Sequence, residues 1–429
     1  MDDIRLLPAT GLEGLIAQLR SRGYRVMGPT LRDDAIVTGE IRSASDLPQG
    51  VGDEQDPARY RLRKRDDGAY FGFAAPAQSS KPVFFPAEEV IWRGRRDTAV
   101  TPDSAASAST PDNAGNPTTA PASSPHDPGF TVERDQLDAP PIALLGVRSC
   151  DLRAVQIHDK VLAGRTYIDA HYVTRREATF VVAVACSDPA ATCFCASMGT
   201  GPRPAATDPA TGEPSYDLLL TEIAPSDPDR HHFVLEIGTE AGRDVAHAID
   251  TAPAEFDDQH EALAVTAHAA SQQTRRITAA TVRDDLRASA ESSRWEDVAS
   301  RCLSCTNCTL VCPTCFCTTV EDVSDLTGAT AERHRVWDSC FSEDFTYIHG
   351  GPTRESVKAR YRQWITHKLS SWEDQFGMLG CVGCGRCIAW CPAGIDITEE
   401  AAALGRMRAG GVLPTGDHVP TGDHVTVTS

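Results

Sequence analysis

The stretch RCLSCTNCTLVCPTCFC, residues 301–317, places six cysteines in seventeen positions. Cys302, Cys305, Cys308 and Cys312 follow C-x2-C-x2-C-x3-C with Pro313 next, the spacing of a 4Fe-4S site. Short gaps let three thiolates wrap one cube of iron and sulfide, while the fourth lies a turn further on and points elsewhere. The same spacing returns at Cys381, Cys384, Cys387 and Cys391, followed by Pro392. In two-motif ferredoxins the fourth cysteine of each motif serves the other cluster. The spacing therefore predicts one cluster on Cys302, Cys305, Cys308 and Cys391, and a second on Cys381, Cys384, Cys387 and Cys312. Paired CxxC units also serve zinc, but this spacing with its proline, given twice, favours iron and sulfide.

Working outward, each motif follows a helical pattern: TVRDDLRASAESSRWEDVASRC leads into the first, and ESVKARYRQWITHKLSSW (355–372) into the second. These predict a mainly α-helical, ferredoxin-like domain with two 4Fe-4S clusters over 281–410. Gly383 and Gly385 leave room for backbone N–H groups near the cluster sulfurs, and Ser304 and Asn307 are the nearest counterparts in the first motif.

Upstream, 131–280 reads as an α/β domain. The apolar runs 142–147 and 180–185 suit buried strands, Asp151–Leu162 suits a helix, and 216–223 and 231–238 suit further strands. Cys150 and Cys186 directly follow the first two strands, at the carboxyl edge where open α/β sheets place their sites. Cys193 and Cys195 lie on the loop leaving the second. Two readings stand for these four: a third 4Fe-4S cluster on Cys150, Cys186, Cys193 and Cys195, or buried free thiols. Arg148 and Arg153 flank Cys150, as counter-charges to a cluster or as partners of Asp151 or Asp159.

Residues 1–97 read as an N-terminal α/β unit, with a helix at 11–24 and strands in YRLRKRDD and AYFGFAAP around an Asp-Asp-Gly turn. These and the middle region predict a mixed or parallel sheet. From 98 to 130 small and polar residues dominate, as in a flexible linker. At 411–429 the duplicated PTGDHV reads as a disordered tail.

The formal charge of −19 argues against nucleic acid, whose phosphates need a concentrated basic surface. The acidic N-terminus lacks the basic region of a secretory signal, and the absence of an apolar run of about eighteen residues predicts no membrane span. The fifteen cysteines then suit metal ligation in a reducing cytoplasm better than disulfides. No GxGxxG follows a predicted strand, so the chain lacks a dinucleotide fingerprint.

GVRSCDLRAVQIHDKVL, CSDPAATCFCASMGTGP, CLSCTNCTLVCPTCFCTTVEDV, VWDSCF and CVGCGRCIAWCPAGIDI together resemble the β subunit of cytoplasmic NiFe hydrogenases of the sulfhydrogenase type. That family includes the A subunit of anaerobic sulfite reductase, and the resemblance spans roughly residues 10–400. One departure is Gln78-Ser79-Ser80-Lys81, where the family has an aromatic before the lysine. The resemblance implies an iron–sulfur electron-transfer subunit between a flavin-bearing NAD(P)H subunit and a catalytic partner, either a NiFe hydrogenase module or a sulfite-reducing sirohaem subunit. No substrate site of the chain's own is evident, which favours a conductor. A sulfur- or disulfide-reducing enzyme using the middle-domain cysteines and a zinc scaffold are the rival readings. Cys315, Cys317 and Cys340 remain without a ligand role, and Cys315 and Cys317 are expected to line the cluster domain without binding iron. The scattered histidines receive no role, and Trp337, Trp364, Trp372 and Trp390 read as packing.

Overall fold

The structure, a computed structural model, describes residues 4–96, 130–133, 137, 139–164, 166–224 and 230–408. Most of the expected linker at 98–130 and all of the expected tail at 411–429 lie outside the described residues. The strands are β1 (Ile4–Pro8), β2 (Arg25–Arg32), β3 (Ala35–Glu40), β4 (Val51–Asp56), β5 (Arg59–Lys64), β6 (Glu88–Arg96), β7 (Phe130–Glu133), β8 (Ile142–Val147), β9 (Thr179–Val184), β10 (Leu218–Ile223), β11 (His232–Ile237), β12 (Ala252–Pro253), β13 (Thr318–Ser324) and β14 (Thr330–Trp337).

One mixed sheet of eight strands, ordered β12-β1-β11-β10-β9-β8-β2-β3, carries the larger of two compact units. Its centre is parallel, with β9 between β8 and β10 and β2 beside β8. The outer pairs are antiparallel. Strands β1 and β2 are thus neighbours of the middle-region strands β11 and β8, and the expected division between 97 and 131 does not divide the sheet. The helix Gly11–Ser21 buries Leu12, Leu15, Ile16 and Leu19, the spacing of one helical face. Those side chains join Leu145, Val182, Val184, Leu220 and Phe233 in one core, each worth about 2 kcal/mol of burial. The larger unit also contains a helical core around Trp295, Tyr361, Trp364, Ile388 and Leu404.

The pairing expected around the Asp-Asp-Gly turn is different here. β5 pairs with β4 instead, and residues 69–76 form no strand. Side chains satisfy their backbone: the Glu222 carboxylate accepts from Tyr70 and Phe71 N–H at 2.7 and 2.8 Å. Arg148 donates to the Phe71 and Phe73 carbonyls at 2.6 and 2.9 Å. This leaves Phe71 and Phe73 free to enter the core without a ladder partner.

The smaller unit, 85–138 and 316–338, holds an antiparallel sheet in the order β13-β14-β6-β7. Its β13–β14 hairpin occupies part of the segment expected to be mainly helical. Cross-strand charges pair on its surface, including Arg93 with Glu332 and Arg333 with Asp322, and the Phe85 and Trp337 rings stack.

Glu222 also meets His231 Nε2 at 2.8 Å, so three groups depend on one buried carboxylate. Glu222→Ala should lower unfolding stability by about 3 kcal/mol, because the stranded donors lose their partner. Equilibrium urea denaturation would show this, and an unchanged midpoint would contradict the account.

Candidate metal centres

The two motif loops share a backbone device. Ser304 and Thr306 in the first, and Gly383 and Gly385 in the second, have positive φ at matching offsets from the leading cysteine. Thr306, rather than Asn307, is therefore the true counterpart of Gly385. Each loop then opens a short helical turn, at Asn307–Leu310 and Arg386–Ala389. The second loop needs glycine for space as well. A Cβ on Gly383 would lie 2.7 Å from the backbone of Phe194 and Cys195, and one on Gly385 would strike Thr192.

Cys302, Cys305, Cys308 and Cys391 line one cavity together with Phe341, Tyr361, Trp364 and Ile395, and Cys387 of the second motif also reaches it. The Tyr361 hydroxyl and Trp364 Nε1 are buried there without hydrogen-bond partners among the described residues. Burial pushes the Cys308 thiol well up, and the neighbouring Cys340, Cys302, Cys391 and Cys305 add to it. Cys340, which the sequence left without a place, therefore stands beside Cys308.

The second motif's thiols also gather. Burial raises Cys387 well above the usual thiol range, with Cys381, Cys384, Cys312 and Cys308 facing it. Burial takes Cys381 to about 12, opposed by the Lys368 ammonium. Cys312 is held well below the usual range by its hydrogen bond with Cys315, against burial and with the help of Lys368. Lys368 is 3 % exposed. Its Nζ donates to Cys312 Sγ at 3.1 Å, Thr314 Oγ1 at 3.1 Å, Gly380 O at 3.3 Å and Cys315 Sγ at 3.5 Å.

In the middle region Cys186, Cys193 and Cys195 face one another, and Cys384 faces Cys193 and Cys195. Burial takes Cys195 to about 12, and Gln273 Nε2 donates to its sulfur at 3.2 Å. Cys150 opens the helix Ser149–His158 and faces Cys195 and Cys384. The stretch 192–200 is stitched to the second motif: Phe194 N–H donates to Gly383 O at 2.9 Å, and Thr200 Oγ1 to Val382 O at 2.6 Å. Arg386 grips Asp151 with both terminal nitrogens, at 2.6 and 2.8 Å.

Arg148 serves the 71–73 backbone and also favours the charged form of Cys186, against burial. Arg153 meets Gln156 and Asp208 rather than the thiols, and Asp151 belongs to Arg386. The Gln78–Lys81 departure is structural too: Gln78 O accepts from Arg386, and Lys81 Nζ donates to Cys315 O at 3.2 Å. Asp151, Gln273, Lys368 and Arg386 were missed from the sequence. Only Lys368 carries a signal there, as a cation on the apolar stripe Trp364, Ile365, Leu369, Trp372.

The donor sets fit iron–sulfur clusters. Crowded, buried thiols are costly as thiolates unless cations share their charge, and inorganic sulfide would accept from the Tyr361 and Trp364 donors. Among the described residues no three His, Cys, Asp or Glu side chains gather closely enough to hold a single metal ion.

Comparison with known proteins bears on the two motifs. The family model of the 4Fe-4S dicluster domain matches residues 301–395. Over 299 residues the chain is 30% identical to Sulfhydrogenase 2 subunit beta of Pyrococcus furiosus, a match covering 67% of this chain and 81% of that protein. No solved structure matches.

Gly385 and Gly199 have similar positive φ, but a Cβ on Gly199 meets nothing within 4 Å. Gly385→Ala should therefore cost about 2 kcal/mol more than Gly199→Ala, the excess being overpacking rather than backbone strain. Paired denaturation curves would measure it, and equal losses would refute the crowding argument.

Proposed function

This chain belongs to the sulfhydrogenase β-subunit family, and from that premise we propose that it is the iron–sulfur electron-transfer subunit of a hydrogenase-type complex. The observation that carries the reading is the succession of thiol groups. Cys387 of the second lines the cavity that holds Cys302, Cys305, Cys308 and Cys391 of the first, and Cys193 of the middle region approaches Cys384 O of the second at 3.8 Å.

The ligand sets we propose are Cys302, Cys305, Cys308 and Cys391; Cys381, Cys384, Cys387 and Cys312; and Cys150, Cys186, Cys193 and Cys195. Bound there, 4Fe-4S clusters supply one-electron carriers whose potentials respond to hydrogen bonds, burial and charge. The chain's own residues hold these sets in register. Gly383 and Gly385 admit the 192–195 backbone, Phe194 fills the helical core, and Arg386 ties the second motif to Asp151 beside Cys150. Phe341, Tyr361 and Trp364 exclude water from the first set. Cys305 is exposed and Leu303 beside it is 68% exposed, so a partner's redox centre can approach there.

The partners proposed are a flavin-bearing NAD(P)H subunit and a NiFe hydrogenase module, in the cytoplasm. No helix among the described residues is long and apolar enough to cross a membrane. A sulfite-reducing subunit is the alternative catalytic partner, and co-purification separates the two. Reduction of sulfur at the middle-region cysteines is the second reading, since these thiols sit at the carboxyl edge of β8 and β9. Activity of the isolated chain toward polysulfide would favour it.

Anaerobically reconstituted chain should bind about twelve irons and show a broad band near 400 nm that dithionite bleaches. About eight irons would remove the middle-region cluster, and a colourless protein would end the reading altogether. Cys315→Ser should keep the full iron complement, because Cys315 is held on Lys368 rather than in a ligand set. Loss of about four irons in that variant would show the second set to be wrongly drawn.

A further inference from the structure

Lys368 is a buried cation whose partners contain no carboxylate. Among the described residues its Nζ meets two sulfurs, a hydroxyl and a carbonyl, with the Trp372 ring 6.0 Å away. A buried ammonium is unfavourable unless an anion shares its site. Arg386, which is as deeply buried, shows the alternative, because Asp151 neutralises it. Arg148, also buried, is held by the Ala185, Phe71 and Phe73 carbonyls, whereas Lys368 donates to sulfur.

The geometry is built for this contact. The helix begun at Val357–Thr366 widens into a π-helical turn at His367–Ser371, a distortion often found at functional sites. The Gly380 N–H returns to Lys368 O at 2.8 Å, one residue before Cys381. Thr314 Oγ1 donates to Gly380 O at 2.7 Å and also accepts from Lys368. The lysine thus bridges Cys312, from the first motif, to the loop that opens the second.

The other two sets meet weaker donors. Around the first, the described polar contacts are neutral: Ile395 N–H approaches Cys391 Sγ at 3.4 Å, and the Tyr361 hydroxyl and Trp364 Nε1 are uncharged. Around the third set the amide of Gln273 donates to Cys195; the Arg148 and Arg386 guanidiniums act on Cys186 and Cys150, but their hydrogen bonds go to carbonyls and to Asp151 rather than to sulfur.

We infer that Lys368 is a potential-setting residue, donating from a fixed positive charge to Cys312 so that the second site is more readily reduced than the first, whose donors are neutral. The inference rests on the ligand sets proposed above. A cation donating to a ligand thiolate stabilises the extra negative charge of the reduced state more than a neutral donor does. The second set also lies between the other two in the succession, so the charge acts at the middle of the row. Cys315 gains a role as well: it shares the ammonium with Cys312 and helps to fix Nζ, without ligating iron.

The test is an anaerobic redox titration of the full, reconstituted chain followed by electron paramagnetic resonance. In Lys368→Met one cluster should fall at least tenfold in its reduced-to-oxidised ratio at fixed ambient potential, about 59 mV for one electron. The others should stay in place, and Lys368→Arg should remain near the parent. Unmoved potentials in Lys368→Met with full iron would overturn the inference and leave the cluster assignment standing. An absence of clusters in the parent chain would overturn the assignment itself. Should Lys368→Met fail to hold iron, the parent chain carrying [15N]lysine decides. Electron–nuclear double resonance should then show a lysine nitrogen coupled to one reduced cluster, and its absence would refute the contact.

Discussion

Two stretches of backbone meet without side chains between them where residues 192–195 lie on Gly383 and Gly385. That approach governs the rest of the site. It lets Phe194 enter the helical core while the cysteines on either side of it stay with the middle region. It also brings Arg386 within reach of Asp151, at the start of the helix that carries Cys150. The thiol groups could not succeed one another without this contact, because they belong to segments almost two hundred residues apart, as the Cys193–Cys384 contact shows.

Charge is handled differently at each step of the succession. Arg386 and Asp151 form a pair with almost no solvent contact. Such a pair contributes little net stability, yet removing either partner would strand a buried charge. It therefore acts more as a register pin than as glue. Near the first set the chain offers rings and neutral donors. Near the second it offers an ammonium. Fold and electrostatics are thus separable here: the glycines and the ion pair set position, and Lys368 sets charge.

The cysteine motifs were legible because their spacing is local, and the buried strands β8 and β9 because parallel strands read as unbroken apolar runs. The irregular segment 69–76 was not legible. Its alternating aromatics suggest a strand, and only tertiary partners, Glu222 and Arg148, decide otherwise. The β13–β14 hairpin was missed because its strands carry charges on their exposed positions, which hide the alternation. Thr306 was passed over as an equivalent of Gly385 because sequence shows residue type and not backbone sign. Arg386 and Asp151 gave no signal, being an ordinary arginine and an ordinary helix-starting acid until they are brought together.

The larger unit is assembled from three separated segments of the chain, and Arg386 binds Pro76 O across 310 positions of sequence. Contacts of that separation form late and are entropically costly to close. During synthesis, the sheet with Cys150, Cys186, Cys193 and Cys195 would emerge long before the glycine loop that covers it. Those thiols would face the solvent and its oxidants until residues 381–391 clear the ribosome. Protection of the middle region is thus a task for the last part of the chain to be made, and a truncated product would be exposed where the finished protein is closed.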